Sequence, residues 1–180
     1  TASSLRMSDA DALAGRLRFG DSGGSGAGVL VGGSVLARGG DVVLLGANVG
    51  TEQTALVQAP NGSTILAAGQ QIEITGRGLE GIKLQVQAPT NEAVNLGTLK
   101  GSAVGIFAGT LKHSGLIQAT QADLRGGKVV LKASGDALVE GSGKILATGT
   151  GGGSVEVLGD RVAVTDPAVI DASGDNSGGS

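Results

Sequence analysis

The chain has 180 residues, a formal net charge of −3, 40% apolar residues and 35 glycines, yet only two aromatic residues, Phe19 and Phe107, and no cysteine. Its charges are scattered, so no basic patch is present to neutralise phosphates and no nucleic acid is expected as a partner. Apolar runs such as Val42-Val43-Leu44-Leu45 fall far short of the roughly 20 residues that span a bilayer, so no membrane span is expected.

Glycine without a Gly-X-Y period argues against collagen, and abundant Val, Leu, Ile and Ala argue against disorder. What remains is one domain with a narrow, ring-poor aliphatic core. Zero cysteine means no disulfides but assigns no compartment. The first residues, TASSLRMSDADALAG, have neither the basic start nor the apolar run of a signal peptide, and the missing initiator Met points to a piece of a longer chain.

In chain order, Met7, Leu13 and Leu17 could line a short helix within residues 7–18; helical spacing is not sustained after residue 20. Next comes Gly20-Asp21-Ser22-Gly23-Gly24, the string that surrounds the nucleophilic serine of chymotrypsin-like proteases. A serine nucleophile needs a base, and the sole histidine, His113, follows Ser22 rather than preceding it. The stretch reads as a turn. Gly23-Gly24-Ser25-Gly26-Ala27-Gly28 resembles a calcium-binding nonapeptide but carries Gly28 where a carboxylate is needed.

From here the chain repeats itself. A closing pattern, β-branched residue, any residue, Ala, occurs at Val35-Leu36-Ala37, Val57-Gln58-Ala59, Val86-Gln87-Ala88, Ile117-Gln118-Ala119, Ile145-Leu146-Ala147 and Ile170-Asp171-Ala172. An opening pattern with Gly-Gly and alternating Val or Leu occurs at 39–44, 126–131 and 152–157, with degenerate copies at 61–66 and 91–96. Between them lie middle strands near Ile74 and Val162. Alternation such as Ile82-Lys83-Leu84-Gln85-Val86 is the period of a strand with one face inward. The expected fold is all-β: a parallel β-helix, or solenoid, of about six coils with three short strands per coil. An antiparallel sandwich is the alternative, but it needs no recurring signature. Coils about 4.8 Å apart give a rod roughly 30 Å long. Gln58, Gln87 and Gln118 are expected to stack as an amide ladder along it.

The remaining motifs carry little chemistry. Gly76-Arg77-Gly78-Leu79-Glu80-Gly81 fits GxGxxG but leads into a strand, so it reads as a turn. Gly143-Lys144 lacks the rest of a phosphate loop. His113 is placed in a turn before a closing strand, and one His without Cys makes no zinc site. Asp166, Asp171 and Asp175 could share one side of the last coil, as carboxylates do in polysaccharide lyases built on similar rods. Their spacing also suits turns, and no aromatic platform accompanies them. No catalytic residue, cofactor site or metal site is assigned, and the partner-binding residues are left open.

The segment Ser8-Asp9-Ala10-Asp11-Ala12-Leu13-Ala14-Gly15-Arg16-Leu17-Arg18-Phe19 resembles a signature of filamentous-haemagglutinin-type exoproteins. So do Gly40-Asp41-Val42-Val43-Leu44-Leu45-Gly46, Gly69-Gln70-Gln71-Ile72, Asn95-Leu96-Gly97-Thr98-Leu99 and Ala108-Gly109-Thr110-Leu111-Lys112-His113-Ser114-Gly115. The resemblance covers nearly the whole chain. It implies a right-handed parallel β-helix exported by two-partner secretion, recognised in the periplasm by an outer-membrane secretion pore partner and folded at the cell surface. Ala12 stands where that family usually has Phe. The Asn-Pro-Asn-Gly motif is missing, with Ala59-Pro60-Asn61-Gly62 a partial echo, so no secretion-motif residue is carried over. Residues 1–38 then correspond to the end of the secretion-type domain with its first irregular coils, and residues 39–180 to the repetitive coils.

The resulting expectation is a non-enzymatic structural and interaction segment of a large surface adhesin, secreted to the surface of a Gram-negative cell. Contact with a host or neighbouring cell would lie in regions outside this chain. The alternatives are a carbohydrate-active β-helix enzyme of the polyuronate-lyase kind and the stalk of a contact-dependent inhibition toxin. A third is a self-assembling fibre unit, in which unpaired edges near Gly178-Gly179-Ser180 favour end-to-end self-association.

Overall fold

The structure, a computed structural model, describes residues 1–20, 27–86, 88–121 and 126–180. The chain opens with β1 (Ala2–Ser3), a short helix α1 (Asp9–Leu13), β2 (Leu17–Gly20), β3 (Gly28–Val31) and β4 (Ser34–Leu36). It continues through β5 (Val42–Gly46), β6 (Asn48–Thr51), the long bent β7 (Leu56–Ala68) and β8 (Gln71–Ile74). A 3-10 turn at Leu79–Gly81 leads into β9 (Ile82–Val86), followed by β10 (Glu92–Asn95), β11 (Thr98–Ala108), β12 (Thr110–His113) and β13 (Leu116–Ala119). The last elements are β14 (Lys128–Ala133), β15 (Asp136–Val139), β16 (Lys144–Leu146), β17 (Ser154–Leu158), β18 (Arg161–Val164) and β19 (Val169–Asp171).

Two parallel sheets form the helix wall. A six-stranded sheet runs β18-β15-β12-β10-β6-β3, one strand from each of six coils. A ten-stranded sheet holds the opening and closing strands, which β7 and β11 join into single bent strands. The fold is therefore the expected parallel β-helix, with three strand segments per coil. Register puts like residues over each other: Val35, Val57, Leu99, Ile117, Ile145 and Ile170 form one inward row. Val29, Val49, Ala93, Leu111, Ala137 and Val162 form another. These rows and the inner row Leu44, Leu66, Ile106 and Leu131 make the axial core. Each fully buried Leu or Ile there contributes about 2 kcal/mol by leaving water, and does so only because the next coil covers it.

Tight corners explain much of the glycine. A Cβ on Gly109 would run into the Ala88 carbonyl, and one on Gly115 into the Gly97 carbonyl; backbone cannot yield there as a side-chain tip could.

The repeat is less regular than expected. The third closing strand is Leu99-Lys100-Gly101, 42 residues after Val57, and not Val86-Gln87-Ala88. The matching opening is at Val104, not 91–96, whose Ala93 and Val94 belong to the middle strand β10. The extra length is an excursion out of the coil. There β2, β8 and β9 form a three-stranded antiparallel sheet, so Ile74 is not in a middle strand, whereas Val162 is. The glutamine ladder fails for the same reason. Gln58 and Gln118 do share a line, but Lys100 pairs with both and separates them. Gln87 lies outside the described residues, and its neighbour Val86 ends β9 in the antiparallel sheet.

The antiparallel sheet covers the outer face of the opening strands and builds a second core. Leu5, Val43, Leu45, Ile65, Ala67, Ile72, Leu79, Phe107 and Val130 bury together there, with Phe19, Ile74, Ile82 and Leu84 partly buried against them. That is why β5 is buried at every residue, inward and outward. Gly105 leaves room for Leu79: a Cβ would stand 2.7 Å from its Cδ2. The outward rows also mark where the cover stops. One row reads Val43, Ile65, Gly105, Val130, Glu156, and the other Leu45, Ala67, Phe107, Lys132, Leu158. Charge enters the second row at the fourth strand, with Lys132, and the first row at the fifth, with Glu156.

Helix α1 is shorter than residues 7–18 and buries nothing. Ser8 caps it, its Oγ accepting from the Asp11 N–H at 3.1 Å. Leu13 is exposed and Leu17 belongs to β2, so the three apolar residues do not share a helical face.

Candidate functional site

The structure does not gather the weighed motifs into one reaction centre. Asp21–Gly24 of the serine-protease string and Gly23–Gly26 of the calcium-loop string lie outside the described residues. The GxGxxG segment is the β8–β9 connection: Gly78 has φ 75°, its N–H donates to Asp41 Oδ2 at 3.1 Å, and the following element is β9. Asp41 Oδ1 also accepts from the Ser63 N–H at 2.8 Å, so one carboxylate ties the cover's loop to the coil wall. Gly143-Lys144 leads into β16, with the Gly143 N–H donating to the Glu140 carbonyl.

The three C-terminal carboxylates do not converge. Hydrogen bonds from the Ser173 side chain and, next, from its N–H at 2.9 Å hold the Asp171 carboxyl below the ordinary range. Asp175 faces a shallow cleft with Thr148, Thr150 and Ser173, and Asp166 precedes a cis Pro167. Among the described residues no group of three or more His, Cys, Asp and Glu side chains could hold a metal ion.

His113 is not in a turn. It ends β12 at an inward position and is fully buried. The inward row there is Val31, Thr51, Asn95, His113, Val139 and Val164, so three polar residues on successive coils sit inside the wall. They satisfy one another. Thr51 Oγ1 donates to Asn95 Oδ1 at 2.5 Å, and Asn95 Nδ2 donates to His113 Nδ1 at 3.0 Å. His113 Nε2–H then donates to the Lys144 carbonyl at 3.1 Å, and the Gly97 N–H donates to Thr51 Oγ1 at 3.1 Å. This pattern requires the neutral ring with its proton on Nε2. Burial holds the His113 pKa below 6.5 despite the hydrogen bonds that favour the charged form. The ladder positions coils and does not reach solvent. Period-two alternation placed His113 on the inward side beside Leu111; that was the available signal, and reading polar residues as outward hid it.

Surface chemistry concentrates on the antiparallel cover. Its first edge, β2, is capped by the chain itself: the Arg6 N–H donates to the Gly20 carbonyl at 3.2 Å and the Gly20 N–H to the Arg6 carbonyl at 2.9 Å. Beside it lies a cleft of about 640 Å³ lined by Arg6, Ser8, Asp11, Phe19, Gln71 and Gln85 among others. Two of its charged side chains, Asp11 and Arg18, are engaged. Asp11 accepts from Ser8 Oγ and from Arg16 Nε, both at 2.7 Å, and these bonds lower its pKa. Glu73 accepts from Arg18 Nε at 2.9 Å and Gln85 Nε2 at 2.8 Å, and is lowered chiefly by the arginine. Among the described residues the far edge, β9, pairs with β8 alone.

No helix among the described residues is long and apolar enough to cross a membrane. No family model matches the chain, and no curated protein matches it by sequence. Its structure is similar to that of the HMW1 secretion domain from Haemophilus influenzae, with a TM-score of 0.69 and 20% sequence identity. The match covers 96% of this chain and 58% of that chain. The two parallel sheets, the axial core and this likeness lead to one conclusion: the chain has the parallel β-helix fold of that secretion domain.

Proposed function

We propose that this chain is a segment of a large, secreted bacterial surface protein, exported by two-partner secretion and serving a structural and interaction role, as in an adhesin. In this reading residues 1–38 are the end of the export-recognition part and residues 39–180 the first coils of a stalk. An outer-membrane pore is the export partner, and contact with other cells belongs to regions beyond this chain. The observation that carries the reading is the fold match over 96% of the chain to a secretion domain. The haemagglutinin-type signature around Asp9–Phe19 supports it independently. The architecture suits the role. Each coil is completed by the next, so folding that starts at one end can advance coil by coil as the chain emerges.

The test is surface labelling of intact cells. Antibodies raised against this chain are applied to the source bacterium and to a strain lacking the gene for its two-partner pore. Labelling that depends on the pore is the expected result. Equal labelling without the pore, or protein found only inside the cells of both strains, would overturn the reading.

A further inference from the structure

Three residues in the bend of β7 stand outside the coil ladders. Against β11, Ala59 pairs with Gly101 and Ser63 with Ala103, so Pro60, Asn61 and Gly62 face the single residue Ser102. On the other side, pairing with β4 ends at Gln58 and pairing with β5 begins at Thr64. Asn61 is exposed there. Its side-chain hydrogen bond among the described residues, from Nδ2 to the Arg38 carbonyl, is 3.4 Å long, beyond the usual range.

The corner also imposes glycine on the next position. A Cβ on Gly62 would run into the Gly40 carbonyl and stand 2.8 Å from Asp41 Oδ1. With no side chain in the way, the Gly62 backbone nitrogen has access to the side-chain carbonyl carbon of Asn61. The other asparagines differ. Asn48 precedes Val49, whose branched side chain hinders the same approach. Asn91 and Asn95 are buried, with both amide atoms hydrogen-bonded. Asn176 is exposed but is followed by Ser177.

We propose that Asn61 is a site of spontaneous covalent modification that loosens the antiparallel cover. The Gly62 nitrogen attacks Asn61 Cγ, the Cγ–Nδ2 bond breaks, and ammonia leaves with the Gly62 proton. Water then opens the five-membered imide at either carbonyl, giving aspartate or isoaspartate. Both products carry a new carboxylate, and isoaspartate also adds a carbon to the main chain. These changes fall beside the Asp41 clamp, whose oxygens hold the Ser63 N–H at 2.8 Å and the Gly78 N–H at 3.1 Å. A longer main chain at position 61 displaces Ser63, and a second carboxylate repels Asp41. The proposal does not rest on the export reading.

The test ages the full chain in mildly alkaline buffer and follows tryptic peptide 39–77, which holds Asn48 and Asn61, by mass spectrometry. Asn61 should exchange its amide for a carboxyl at a rate within about tenfold of a free peptide spanning residues 57–66. Asn48 and Asn95 should stay intact. The modified chain, separated by its added negative charge and shown to hold isoaspartate by methyltransferase labelling, should exchange the Gly78 and Ser63 amide hydrogens about tenfold faster. Asn61→Gln, whose imide would need a larger ring, should neither convert nor lose that protection on ageing. An Asn61 that survives in the folded chain after the free peptide has converted would overturn the proposal, as would conversion of Asn48 at the same rate. Unchanged protection of Gly78 in the modified chain, or equal loss of protection in aged Asn61→Gln, would also overturn it.

Discussion

His113 is the residue whose chemistry departs furthest from its surroundings. It sits in an aliphatic core, neutral, accepting from Asn95 and donating to the Lys144 carbonyl. Protonation would put a second donor against the Asn95 amide and a charge where, among the described residues, no carboxylate stands. The charged side chains on neighbouring strands, Glu92, Lys112, Asp136 and Lys144, occupy the alternate, outward positions. Because the folded pKa is depressed, the unfolded chain binds more protons below about pH 6.5. Stability is therefore full above that pH and falls as pH drops towards the folded value. Urea midpoints at about pH 7.5 and about pH 5.5 should show the loss, and His113→Gln, which keeps a donor and an acceptor, should flatten it. Asp11, Glu73, Asp136 and Asp171, all lowered by their hydrogen-bond partners, contribute only in a more acidic window.

At the level of elements, the cover and the coil wall stabilise each other. Outward Val43, Leu45, Ile65 and Phe107 would be a bare apolar face without β2, β8 and β9, and a three-stranded antiparallel sheet would have no core without that face. Phe107→Ala should cost about 3 kcal/mol, since it removes a buried ring from the middle of this interface. The axial core is untouched by that change. Limited proteolysis should then cut the Gln71–Val86 excursion while the coils stay resistant; simultaneous digestion of both would show that cover and coils unfold as one unit. This excursion is also what misled the reading of the repeat. Val86-Gln87-Ala88 imitates a closing strand because any half-covered strand alternates in the same way. The true closing, Leu99-Lys100-Gly101, lacks both the β-branched residue and the Ala. A better signal was available in Val104-Gly105-Ile106-Phe107, an apolar run like Val42–Leu45. Such runs mark strands buried on both faces, as the first three opening strands are.

Over the whole molecule, stability is graded along the axis. The middle coils are closed on both sides, with Leu99, Ile106, Leu111, Ile117 and Leu131 fully buried. In the last coil the inward positions Val162, Val164 and Ile170 are 47%, 50% and 39% exposed. The Arg161–Asp136 pair, at 2.7 and 2.6 Å, joins that coil to its neighbour from the exposed side, where solvent weakens it. For residues 1–180 taken by themselves, nearest-neighbour stability then predicts sub-global opening from this coil. Hydrogen exchange should be faster in Ser154–Asp171 than in Thr98–Ala119; uniform exchange would instead indicate a single cooperative unit.

The period of two, the recurring Gly-rich corners and the recurring Val, Leu and Ile rows are local properties. They were enough to specify a stacked parallel helix of about six coils and to find four of the five opening strands and five of the six closing ones. Long-range pairing decided the rest. Which copy lies over which depends on where a strand finds a covered face, and so the 42-residue step from Val57 to Leu99 could not be read from spacing. The antiparallel cover, the neutral His113 ladder and the open β9 edge share that origin. Each depends on residues 18 to 55 positions apart being brought into contact, and an alternation pattern carries no information about its partner.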